Sequence, residues 1–160
     1  MKRISIIFLT LVLLLCGCDP ATYYFNADEI TDTATKIELV YCENNTPSIV
    51  NVEENTVLHF DRDSATLVKE LNQADFFDFA NELSNIRFHI GNESVNSPTG
   101  YTLLIHTSDN EITVLSCNSI NGIAYGMAAV FSNTGTFIKH LAVFADRSSF
   151  EELLTKYFGV

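Results

Sequence analysis

Apolar and polar positions alternate along KIELVYC at residues 36–42, with Ile37, Leu39 and Tyr41 on one side, the two-residue period of a β-strand. A loop containing Asn44, Asn45 and Pro47 follows, then TVLHFD at 56–61 as a second strand. The next stretch admits two readings. Ser64 can cap one long helix from Ala65 to Asn85; alternatively Thr66 to Leu71 is a strand and Asn72 caps a helix over 73–84. The second is preferred, because Thr66, Leu67 and Val68 suit a strand while Phe76, Phe79, Ala80 and Leu83 fall on one helical face.

Downstream, RFHIG at 87–91 is a short strand and residues 92–100 form a loop by composition. YTLLIHTSDNEITVLSC at 101–117 is a hairpin turning at Ser108, Asp109 and Asn110. A second pair of strands, 123–131 and 136–144, is joined by residues 132–135, with Gly122 and Gly126 suggesting a bend or bulge. The last segment predicts a helix capped by Asp146 or Ser148, with Glu151 in its first turn and Phe150, Leu153, Leu154 and Tyr157 as its buried stripe. Strands, a helix, an antiparallel meander and a final helix make a single-domain α+β fold, with the central and C-terminal helices packed on the sheet.

At 160 residues with 47% hydrophobic side chains, the chain has the length and apolar content for one such core. Its N-terminus is different in kind. Lys2 and Arg3 precede an apolar run, Ile4 to Leu15, broken only by Ser5 and Thr10. That is a signal-peptide length, short of the roughly 20 residues that span a bilayer. The run ends Leu15-Cys16-Gly17-Cys18 rather than in an Ala-x-Ala site. This ending resembles the lipobox of bacterial lipoproteins. A thiol can be alkylated to a stable thioether, and a small residue before it admits the peptidase.

By that resemblance Leu15, Cys16 and Gly17 are recognition positions and residues 1–17 are removed. Cys18 then becomes the acylated N-terminus that joins the protein to the membrane, because two acyl chains anchor durably where one is marginal. In an enteric envelope the following Asp19 resembles an inner-membrane retention signal. Residues 18–35 are then the lipidated end and a polar, threonine-containing tether, and residues 36–160 the domain. As flexible coil, the tether would extend roughly 20–25 Å root-mean-square. Short pieces of the domain also resemble small Gram-positive lipoproteins of uncharacterised function: Lys36 to Leu39, Leu83 to Ile86, Ser97 to Tyr101 and Phe150 to Phe158. That resemblance implies no catalytic residues.

Removing residues 1–17 leaves seven basic against 20 acidic residues, a balance of −13 rather than −11. Such a field repels phosphate backbones and argues against nucleic acid as a partner. Cys42 and Cys117 each end a predicted strand and could form a disulfide closing a loop of about 75 residues, worth about 4 kcal/mol in the chain-entropy model. Two free thiols are the preferred alternative, with no paired histidine signature for a nucleophile.

His59, His89, His106 and His140 all fall in strands, so a metal site would have to be assembled across the sheet, and none is expected. Asp61 and Asp63 around Arg62, and Glu53-Glu54, read as turn and solvated carboxylates. No phosphate-cradling loop, nucleophile elbow or zinc helix motif is present, and no cofactor is expected. These features point to an extracytoplasmic, membrane-anchored binding module without catalysis, contacting a protein or envelope component near residues 92–100 or 116–122. An inhibitor or immunity lipoprotein against a cationic toxin or cell-wall enzyme is the alternative, and a small hydrolase the third.

Overall fold

A computed structural model describes residues 21–43, 49–52, 57–90, 98–120, 123–144 and 146–160. The lipobox residues Leu15, Cys16, Gly17 and Cys18 lie outside them, as do Glu53-Glu54 and the 92–97 and 121–122 loop positions. The chain runs β1 (Thr22–Tyr23), α1 (Ala27–Thr33), β2 (Ala34–Cys42), β3 (Ile49–Val52) and β4 (Val57–Phe60). It continues with β5 (Ala65–Glu70), α2 (Phe76–Leu83), β6 (Phe88–His89) and β7 (Gly100–Thr107). Then come β8 (Glu111–Ile120), β9 (Ile123–Ser132), β10 (Phe137–Phe144) and α3 (Arg147–Phe158). Eight strands form one antiparallel sheet in the order β1-β6-β10-β9-β8-β7-β2-β5, and β3-β4 is a separate hairpin. The α+β architecture is the expected one.

Both faces of the sheet are covered. Because side chains alternate across a strand, Ile37, Leu39, Leu103, Ile105 and Leu115 point to one side. There they meet Ile30 of α1, the Phe76, Phe79, Ala80 and Leu83 face of α2, and Phe150, Leu153, Leu154 and Phe158 of α3. Val40, Cys42, Leu104, Val114 and Phe131 point to the other side and are covered by Leu58 and Phe60 of β4. The Phe60 amide donates to the Gly135 carbonyl at 2.8 Å, which docks the small hairpin on the β9–β10 turn.

The strand expected over residues 66–71 is β5, Ala65–Glu70, and the buried face of α2 is the expected one. Other expectations change. The proposed tether over 19–35 is folded from Thr22 onward. Asn26 Oδ1 accepts from the amides of Asp28 and Glu29, Ile30 is buried, and β2 begins at Ala34. Asn72 makes no capping hydrogen bond; a short 3₁₀ turn, Gln73–Asp75, precedes α2 instead. The register of β8 with β9 runs unbroken past Gly126, and the bulges lie in β10, between Phe137 and Lys139 and between His140 and Ala142. In α3 the fourth buried position is Phe158 rather than Tyr157, which rests edge-on against Phe79 at the rim of the core.

Asp146 is the cap of α3. Its carboxylate accepts from the Ser149 amide at 3.1 Å and the Ser149 hydroxyl at 2.6 Å, which holds it below the usual carboxylate range. Asp146→Ala is expected to cost about 1 kcal/mol. The urea midpoint should fall at unchanged m-value; an unmoved midpoint would show the cap to be dispensable.

Candidate functional site

Cys42 and Cys117, which could have formed a disulfide, do not come together. Cys42 lies opposite Gly100 on β7, while Cys117 on β8 lies opposite Gly126 on β9. With β7 between β2 and β8, two strand spacings of about 4.8 Å exceed the roughly 7 Å limit for a disulfide. The side chains also point to opposite faces, Cys42 into the hairpin-side core and Cys117 against the helix-side core. Both are free. Burial, more than the opposing pull of Arg147, pushes the Cys117 thiol up to about 11, so it is a protonated and unreactive group at neutral pH.

The four histidines are dispersed over β4, β6, β7 and β10. Among the described residues no group of three metal-ligating side chains converges. Asp61 caps a 3₁₀ turn, Arg62–Ser64, by accepting from the Asp63 amide at 3.1 Å, which is the capping role expected of it.

The residue between those two aspartates matters more. Arg62 reaches back to β2, where Glu38 is buried with 1% of its surface exposed. Arg62 Nε donates to Glu38 Oε1 at 3.0 Å and Arg62 Nη2 to Oε2 at 3.1 Å, a bidentate pair. Lys36 Nζ lies 3.2 Å from Oε2 and His106 Nε2 2.8 Å from Oε1. Burial alone raises the Glu38 carboxyl, but the hydrogen bonds from His106, Arg62 and Lys36 outweigh it and hold the group well below the usual range. Each carboxylate oxygen meets two nitrogens, Oε1 those of Arg62 and His106 and Oε2 those of Arg62 and Lys36, so the arrangement pins the end of β4 to the sheet. With Glu38 committed to three partners, it has no free capacity as a base.

A different region is open. Between α1 and strands β7–β10 lies a cleft of about 120 Å³. Its lining is mixed: Phe25, Ile30, Ile105, Val130 and Leu141 supply apolar surface, interrupted by Thr113, which the register places between Ile105 and Val130, and by Asn26, Thr33 and Thr107. Its rim carries Glu29, Asp109 and Glu111, with Lys139 and the Tyr23 hydroxyl also lining it. Burial, and secondarily the charge of Glu29, raises Tyr23 above its ordinary value, so the phenol stays protonated and able to donate. None of the three rim carboxylates takes part in an ion pair among the described residues.

Sequence reasoning missed both constellations. The cleft depends on α1, whose sequence has the composition of a tether, and the Glu38 cluster on Arg62 of a turn and His106 of β7, 24 and 68 residues away. The chain matches no protein-family model, no curated protein and no solved structure.

Proposed function

We propose that the protein is a lipid-anchored, extracytoplasmic binding module without a catalytic role, and that the cleft between α1 and strands β7–β10 is its recognition site. One observation carries this reading. The chemically capable side chains described here are engaged in structural contacts, Glu38 with Arg62, Lys36 and His106, and Asp61 and Asp146 as caps. The cleft, by contrast, presents apolar and hydroxyl-bearing surface with three carboxylates against one lysine. Ligand sites commonly combine an apolar surface with a few polar groups in this way. The acidic rim also favours the second reading, an inhibitor or immunity lipoprotein directed at a cationic toxin or cell-wall enzyme.

Anchoring rests on the Leu15-Cys16-Gly17-Cys18 ending. In cells fed a fatty-acid probe, Cys18→Ser is expected to abolish labelling and accumulate uncleaved precursor, whereas Cys16→Ser leaves both processing and labelling intact. Labelling that survives the change at Cys18 would refute the anchor. For the module, the expected result is that crosslinking in intact envelopes captures a specific partner and that capture is lost on filling the cleft with Val130→Phe. The purified chain should turn over no substrate from a hydrolase panel; turnover without any partner would favour the small-hydrolase reading instead.

A further inference from the structure

We infer that the cleft between α1 and strands β7–β10 receives a single arginine or lysine side chain of a basic protein partner. Its methylenes would lie along the floor and its charged head at the rim formed by Glu29, Asp109 and Glu111. This deepens the binding-module reading and rests on it. Three features support the assignment.

The first is size. At about 120 Å³ the cleft is well below the roughly 300–1,000 Å³ of sites that enclose a drug-sized molecule, and fits one long side chain. The second is the division of its lining. Ile105 and Val130 are buried and Leu141 partly so, giving apolar surface on either side of Thr113 for the stem of a cationic side chain, while Glu29 and Asp109 are exposed and Glu111 partly so, where the head emerges into water. The third is charge. Three carboxylates against Lys139 leave the rim negative by two, and among the described residues no ion pair neutralises any of the three. Opposite charge across such a rim speeds encounter and selects basic partners. Lys139 opposes the incoming cation, so its removal strengthens binding.

The test uses the full chain, isotope-labelled, in a non-ionic detergent. It is titrated with the blocked tripeptides Gly-Arg-Gly and Gly-Lys-Gly, and with their neutral counterparts carrying citrulline and norleucine. The expected result is saturable amide shifts confined to the cleft, at Ile30, Ile105, Thr107 and Val130, for the charged peptides. Binding should be at least tenfold weaker for the neutral ones. The double change Glu29→Gln and Glu111→Gln should weaken charged-peptide binding to the same degree while leaving the spectrum elsewhere unchanged. Lys139→Gln should tighten it about threefold. Equal binding of charged and neutral peptides, shifts spread away from the cleft, or tighter binding in the glutamine double variant would overturn the assignment. So would spermidine binding a hundredfold tighter than either peptide, which would make the ligand a free polyamine. If envelope crosslinking still yields a specific partner while these peptides leave the cleft unperturbed, the module reading stands and the side-chain assignment falls.

Discussion

Gly135→Ala is expected to lower the unfolding free energy by about 4 kcal/mol, combining a left-handed backbone with a blocked contact, each worth about 1–3 kcal/mol. Gly135 has φ +89°, a conformation that L-residues adopt only with strain. A Cβ there would stand 2.3 Å from the Phe60 carbonyl oxygen and 2.5 Å from the His59 ring, distances that require one element to move. The element at risk is the β3–β4 hairpin, because its contact with the β9–β10 turn runs through Phe60 and the isolated bridge between His59 and Thr136. Loss of that dock exposes Phe60, otherwise packed on Phe131 with ring centres 5.7 Å apart.

Gly159 supplies the control. Its φ is +78° at the end of α3, yet a Cβ there meets nothing within 4 Å, so Gly159→Ala isolates the backbone cost at about 1 kcal/mol. Denaturant unfolding of the two variants measures the difference. If Gly135→Ala costs no more than Gly159→Ala, the hairpin is not seated as described.

Glu38→Ala is expected to cost about 3 kcal/mol, at the low end for breaking a buried ion pair because Lys36, Arg62 and His106 retain some water contact. The charge, rather than the volume, is responsible, so Glu38→Gln should recover less than half of the loss. The pH dependence has a definite sign. The folded-state carboxyl is held below its unfolded value by His106, Arg62 and Lys36 against the cost of burial, so its stabilisation is fully present above about pH 5. It is lost as pH falls below about 4.5 and continues to decline toward strongly acid solution. Glu70, opposite Glu38 on β5, is the one neighbouring carboxylate in the strand register, and being exposed it opposes this charge only weakly. Thermal unfolding from pH 6 to pH 3 should therefore show a steeper fall in Tm for the wild type than for Glu38→Gln. Parallel profiles would show that the cluster contributes no net electrostatic stability.

The sequence made some of these features legible and hid others for physical reasons. The face of α2 was readable because four buried positions repeat at helical spacing over eight residues. The β7–β8 hairpin was readable because two β-rich arms flank Ser108 to Asn110, and Asn110 adopts φ 62°, a conformation asparagine tolerates. Helix α1 was not readable, since only Ile30 is buried in its seven residues and one apolar residue has no period. Its stability comes from the Asn26 cap and from packing against α2, the second of which is long-range.

Strand β2 is a different case. Ile37, Leu39 and Tyr41 mark one apolar side of the strand, and that alternation says nothing of what faces Glu38 on the other. Val40 and Cys42 on the same side as Glu38 were the available signal that the second face is also covered, by a hairpin no local pattern assigns to that position. The candidate cleft was invisible for the same reason as α1: its floor comes from β7, β8, β9 and β10, and its wall from a segment that reads as polar linker.

That Thr22 already belongs to the sheet, paired with His89, has a consequence for any partner. Four peptide units separate it from Cys18, a contour of at most about 14 Å. With lipid on Cys18, the domain is not a body swinging on a long line above the bilayer. It would be moored against the surface, with the Tyr23–Asn26 side of the cleft a few residues from the mooring. Search for a partner then becomes two-dimensional, and the local concentration of any membrane-resident ligand rises without a new contact. Proteins diffusing in the bulk must instead approach a cleft whose height and tilt are set by a handful of residues.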